Sequence, residues 1–156
     1  LMRLQIESGR NVLFEHPWSA SSWKLPCLGQ IMAMDGVEVV YADLCRHGLT
    51  SKDGDSVGPS KKTTGFLTND PYVGKALNKY CDGSHTHIRL LNGRAAPAER
   101  YSPQLVSTIL RAIKRSLMKK GWLCPLEAGP TVEEPDFIAA AEDYHEAIYE
   151  VLAVKC

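Results

Sequence analysis

The run Asn11-Val12-Leu13-Phe14-Glu15-His16-Pro17-Trp18 constrains the fold more than any other stretch of the chain. An apolar segment, Val12-Leu13-Phe14, stops in a carboxylate, an imidazole, a proline and an indole. A Ser-rich segment and a second indole, Trp23, follow at once. Proline cannot donate to a sheet ladder, so the strand predicted over residues 12–15 ends there or lies at an edge. In open α/β sheets, ligands bind outside the carboxyl ends of the strands. On that geometry Glu15 and His16 are a candidate acid–base pair, Trp18 and Trp23 a candidate platform for a stacked base, and Ser22 an adjoining hydroxyl. The competing reading is a strand leaving its sheet through a turn, with Trp18 capping the core.

Strand-like and helix-like segments alternate over the first ninety residues, and the remainder reads mainly as helix. A short helix is expected over 25–34, a second strand over 37–41, a polar loop over 50–62, a third strand over 63–68 and a fourth over 86–91. Asn69-Asp70-Pro71 carries a helix start, a capping side chain before proline at the first helical position, with Val73, Leu77 and Tyr80 facing inward. Ser102-Pro103 opens the clearest helix, closed by Gly121. Leu105, Val106, Ile109, Leu110, Ile113 and Leu117 are expected on its inner side, and Arg111, Lys114, Arg115 and Lys119 on its outer one. The basic face suits phosphate or is simply solvated. Residues 131–156 read as an amphipathic helix with an acidic outer face.

At 156 residues the chain is most simply one domain, 1–156, long enough for a real core. Eighteen basic residues balance eighteen acidic ones, so net charge names no partner and any attraction to nucleic acid must come from a local patch. No apolar run approaches a bilayer span, and nothing resembles a secretion signal. Five cysteines without regular spacing do not suggest a disulfide framework, so the expected setting is reducing and intracellular, nucleus or cytoplasm undecided. The chain opens on Leu1 close to a strand-like segment, and is expected to be a piece of something longer.

Two further constellations carry chemistry. Lys61-Lys62-Thr63-Thr64, with Asn69 at the end of the following strand, offers ammonium groups and hydroxyls for phosphate, or is an ordinary polar loop. Cys45, His47, Cys81, His85 and His87 are thiol and imidazole groups, and four of the five can make a tetrahedral zinc site. Their spacing is not that of the common fingers, and free cysteines often just pack.

These same residues carry a resemblance. Leu13-Phe14-Glu15-His16-Pro17, Ser21-Ser22-Trp23 and Asp43-Leu44-Cys45-Arg46-His47-Gly48-Leu49 resemble a segment of copia-type retrotransposon polyproteins. Lys61 to Asn69, Cys81-Asp82-Gly83-Ser84-His85-Thr86-His87 and Tyr101-Ser102-Pro103-Gln104-Leu105 continue it, so that residues 10–115 are covered in order. That segment is similar in turn to the second half of cytosine-5 DNA methyltransferases. The resemblance implies a partial methyltransferase-like, Rossmann-type α/β sheet with flanking helices and a helical C-terminus. It implies that Glu15 contacts a target cytosine, with His16 in place of the family's Asn, and that Lys62-Thr63-Thr64 lies near the active site. DNA is the implied partner and S-adenosylmethionine the implied cofactor. The chain has neither a glycine-rich loop after a first strand nor a Pro-Cys nucleophile ahead of Glu15, since Pro26-Cys27 comes after it. Methylation therefore requires a missing N-terminal half or a partner chain. The alternatives are a zinc- or nucleic-acid-binding module without catalysis, and a structural or interaction domain.

Overall fold

The computed structural model describes residues 1–91 and 97–123. Strands β1 (Leu13–Pro17), β2 (Glu38–Asp43) and β5 (Thr63–Thr68) form one sheet in the order β1-β5-β2. Strands β3 (Thr50–Asp53) and β4 (Ser56–Pro59) form a separate hairpin. Helices α1 (Met2–Glu7), α2 (Pro26–Met32), α3 (Pro71–Leu77) and α4 (Pro103–Lys119) complete a mixed α/β architecture.

Central β5 is buried on both faces, as a strand flanked by two others should be, with Phe66 and Leu67 each fully covered on opposite sides. One face packs Phe66, Val40 and Ala42 against Val73 and Leu77 of α3 and Leu105 and Ile109 of α4. The other packs Leu67, Val12 and Ile31 with Met2, Ile6, Phe14 and Trp23. Helix α1, which the sequence reading did not anticipate, supplies Met2 and Ile6 to this second cluster. Pro17 is tolerated opposite Thr64 because β1 is an edge strand among the described residues, with no outer ladder there for Pro17 to feed.

Both β1 and β2 run antiparallel to β5, and so parallel to each other. Every strand pairing among the described residues is antiparallel; β1 and β2 are joined through α2 as a β-α-β unit split by β5, and no Rossmann-type fold is formed among the described residues. The chain between β2 and β5 is used by the hairpin instead of a crossover helix, and β5 returns in reverse between its neighbours.

The predicted caps hold. The Asp70 carboxylate accepts the Tyr72 and Val73 N–H groups at 2.9 and 3.4 Å, and the Ser102 hydroxyl accepts that of Leu105 at 3.1 Å. Four expectations fail. Residues 50–62 are not a loop: β3 and β4 pair around Gly54, whose φ of 61° suits the turn. Residues 86–91 are not a strand. Ile88 donates its N–H to the Pro59 carbonyl at 2.8 Å, but Pro59 has no N–H to return, so no ladder grows. Leu110 is 47% exposed, because it lies about 140° around the helix from Leu105. Tyr80, also expected inside, is exposed beyond the end of α3. The helix predicted over 131–156 and most of the loop before Pro97 lie outside the described residues. No helix among the described residues is long and apolar enough to cross a membrane.

Candidate metal centre

Cys45 sits in a 3-10 turn, Leu44–His47, directly after β2. Cys81, His85 and His87 lie on an irregular strap, residues 79–90, that follows α3. Fold topology brings these two segments together, and the donor atoms of the four residues all lie within 4.8 Å of one another. Cys81 Sγ stands 3.7 Å from His85 Nε2 and 3.4 Å from His87 Nε2. Zinc bonds of about 2.0–2.3 Å set tetrahedral edges of about 3.3–3.8 Å, and both separations fall in that range. The two imidazoles meet nearly edge to face, with centroids 4.6 Å apart and planes at 75°. His47, the fifth residue of the predicted set, is not part of the cluster. It is fully buried, and its Nε2–H donates to the Leu77 carbonyl at 3.3 Å. Burial, reinforced by the Lys79 and Arg46 charges, lowers its pKa, so it packs as a neutral imidazole.

The surroundings of the cluster orient its donors. Gly83, at a φ of 74°, turns the strap so that its N–H donates to Cys81 Sγ at 3.4 Å. The Asp82 carboxylate accepts the Ser84 N–H and hydroxyl and pairs with Arg46 at 2.7 Å, which ties the two ligand segments together. Asp43, almost wholly buried, accepts the Cys81 N–H at 2.9 Å, the Thr63 hydroxyl at 2.7 Å and the Tyr41 hydroxyl at 3.3 Å, with Lys61 Nζ at 3.3 Å. Burial alone would raise its pKa, but the hydrogen bonds from Cys81 and Thr63 and the Lys61 ammonium outweigh it and hold the carboxyl below its usual value. Burial, then the adjacent Cys81 sulfur and the Asp43 charge, push the Cys45 thiol up to about 11. A bound cation reverses that balance and favours the thiolate.

The residues expected to read a base divide between two faces and two ends of the sheet. Glu15 and His16 are neighbours on a strand and project to opposite sides, so they are not an acid–base pair. Glu15 is half-buried in mid-strand opposite Phe66, not at an open rim. Its Oε2 accepts the Tyr101 hydroxyl at 3.4 Å, while Oε1 is buried without a partner among the described residues. Thr64 lies on the same face, fully buried, and its Oγ1 is likewise unpartnered. Lys62 donates to the Ala98 carbonyl at 3.3 Å, while Lys61 and Thr63 are both engaged by Asp43. His16 lies on the aromatic side, stacked on Phe14 and edge-on to Trp23. Trp23 Nε1 donates to the Pro17 carbonyl at 2.9 Å, Trp18 is 47% exposed, and Ser22 Oγ is buried without a partner among the described residues. Asn69 is at the other end of the sheet, where it accepts the Val12 N–H at 2.8 Å and donates to the Arg10 carbonyl. It clamps the start of β1 and has no place near Glu15.

Sequence reasoning missed Asp43 and Tyr101 as site residues. A carboxylate as the last residue of β2, two residues before Cys45, was the available signal for the first. The chain matches no protein-family model, and no curated protein or solved structure matches it significantly.

Proposed function

We propose that this chain is a zinc-binding module of the structural type, in which Cys45, Cys81, His85 and His87 hold one metal ion that fastens the strap to the end of β2. The observation that carries this reading is the convergence of two sulfurs and two imidazoles within 4.8 Å of one another, from segments separated by the hairpin, β5 and α3, with both Cys81–imidazole separations at tetrahedral edge length. Two soft thiolates and two imidazoles favour zinc among the common divalent ions. Four protein donors leave no position for water, so the ion serves architecture and not hydrolysis. Metal analysis of the purified chain is expected to find one zinc per chain, lost in Cys81→Ser and retained in Cys27→Ser. Cobalt(II) in its place is expected to give the visible absorption of a tetrahedral site. A chain that takes up neither ion from a stoichiometric solution overturns the reading.

A second reading, the methyltransferase-like one, is favoured by the unpartnered Glu15 Oε1 and Thr64 Oγ1 on one face of the sheet. A reversed strand beside parallel ones is compatible with the edge of a larger, mostly parallel sheet. In this reading further strands extend a Rossmann-type sheet from the free edge of β1. The missing half or a partner chain brings S-adenosylmethionine and the attacking thiolate, and Glu15 steadies the ring of a flipped cytosine in DNA. Glu15→Gln is then expected to abolish methylation by the complete assembly, and unchanged turnover removes Glu15 from the chemistry. Calorimetric uptake of S-adenosylmethionine by this chain alone would contradict the assignment of the cofactor to the missing half.

A further inference from the structure

Cys45 and Cys81 form a pair in their own right. Their sulfurs lie within 4.8 Å of each other, and both residues are only partly buried, which leaves them open to a small solute. Three attachments that involve no metal hold their backbones together. Asp43 donates its N–H to the Lys79 carbonyl at 3.0 Å, and its carboxylate accepts the Cys81 N–H at 2.9 Å. Arg46 and Asp82, each the next residue after one of the cysteines, are joined at 2.7 Å. The root of the strap, residues 79–82, is thus fixed beside Cys45 by contacts that an ion does not supply. Only the two side chains are left to close the gap to a disulfide of about 2.05 Å.

The two sulfurs are not equivalent. Cys81 Sγ is ringed by nitrogen: the Gly83 N–H at 3.4 Å, His87 Nε2 at 3.4 Å and His85 Nε2 at 3.7 Å. Cys45 Sγ instead donates to an acceptor, the Asp43 carbonyl at 3.9 Å. A sulfur among nitrogen donors is the one set up to attack, and a neighbouring thiol is the one set up to resolve the product.

We propose that Cys45 and Cys81 are a peroxide-responsive pair, which a hydroperoxide converts into a disulfide with loss of the bound ion. The proposal deepens the zinc reading and rests on it for the ion that is lost. The Cys81 sulfur attacks one peroxide oxygen, the O–O bond breaks, and the departing oxygen leaves as water with the thiol proton, so that Cys81 becomes a sulfenic acid. The Cys45 sulfur then attacks the Cys81 sulfur, the S–S bond forms, and the sulfenic oxygen leaves as a second water with the Cys45 proton. The two cysteines give up two electrons and the peroxide takes them. In the zinc-loaded chain the sulfurs carry no protons, so solvent supplies both, and two of the four donors are withdrawn from the ion. Oxidation thereby exchanges a four-point attachment for one bond at the root of the strap and releases His85 and His87.

The full zinc-loaded chain, treated with one equivalent of hydrogen peroxide beside a chromogenic chelator, tests it. One zinc released per disulfide formed is expected, with non-reducing peptide mapping joining Cys45 to Cys81 and thiol reduction restoring metal uptake. In the metal-free Cys45→Ser chain a sulfenic acid on Cys81 is expected to persist and to be captured by dimedone. The mapping uses the unaltered chain, so it decides the matter even where Cys45→Ser fails to fold. Zinc retained with both thiols still open to alkylation, or oxidation confined to Cys27, Cys124 or Cys156, overturns the proposal. A chain that takes up no zinc overturns the metal reading, and the metal-free chain then decides this one. Peroxide joining Cys45 to Cys81 there upholds the pair, and both thiols left reduced overturns it.

Discussion

Phe66, Leu77 and Leu105 are sealed between the sheet and helices α3 and α4, whereas residues 79–90 run along the surface without a helix or strand of their own. The first region is held by apolar burial spread over many side chains. The second is held at a few polar points: the Asp43 carboxylate on Cys81 N–H, the Arg46–Asp82 pair, Ile88 between Pro59 and Ser60, and, in the proposed function, the ion held by Cys45, Cys81, His85 and His87. Burial is cumulative and non-directional, so the core tolerates small changes and fails as a whole. Point attachments are directional, so the strap is expected to open locally while the sheet stays folded.

The sharpest break between the regions comes from removing core volume. Phe66→Ala is expected to lower stability by about 3–5 kcal/mol, read as a fall in the urea midpoint of the zinc-loaded chain. Chelation of zinc is the mirror experiment. Amide exchange at Ile88 is expected to approach that of an unprotected residue while Leu67 stays protected, and equal loss at both would show that the strap is part of the core. Asp43→Asn tests the joint between the two. Weakening hydrogen bonds to a buried charge is expected to cost about 1.5–3 kcal/mol and to weaken zinc binding as well, measured by denaturation and by competition with a chelator. Ser102→Ala removes the cap of α4 and also the hydroxyl that donates to the His47 carbonyl, with an expected loss of about 1 kcal/mol. Leu110→Gln is expected to change stability by less than about 0.5 kcal/mol, since the side chain points to solvent.

Much of the core region could be read from sequence because its signals are local. The run Thr63 to Thr68 carries strand residues at Thr63, Thr64, Phe66 and Thr68, and Asp70-Pro71 and Ser102-Pro103 each place a capping oxygen ahead of a proline. The strap could not be read this way. Cys45 and Cys81 owe their proximity to β5 lying between β1 and β2, which no spacing rule encodes. His47 and His85 are the same residue type at comparable distances from a cysteine, and only packing against Leu77 makes the first a core side chain. Glu15 and His16 part because side chains alternate along a strand, which places the first with Phe66 and the second with Gly65. Leu110 is as apolar as Leu105, but its angle around the helix turns it to solvent.

The position of Asp43 has a consequence for assembly. Its carboxylate reaches the Cys81 backbone while also gripping Thr63, the first residue of β5, so the second half of the ion's cradle is offered only once β5 has slotted in beside β2. On the zinc reading, capture of the ion is a late event that reports correct threading, and a chain whose strands have paired in the wrong order is left with its thiols open.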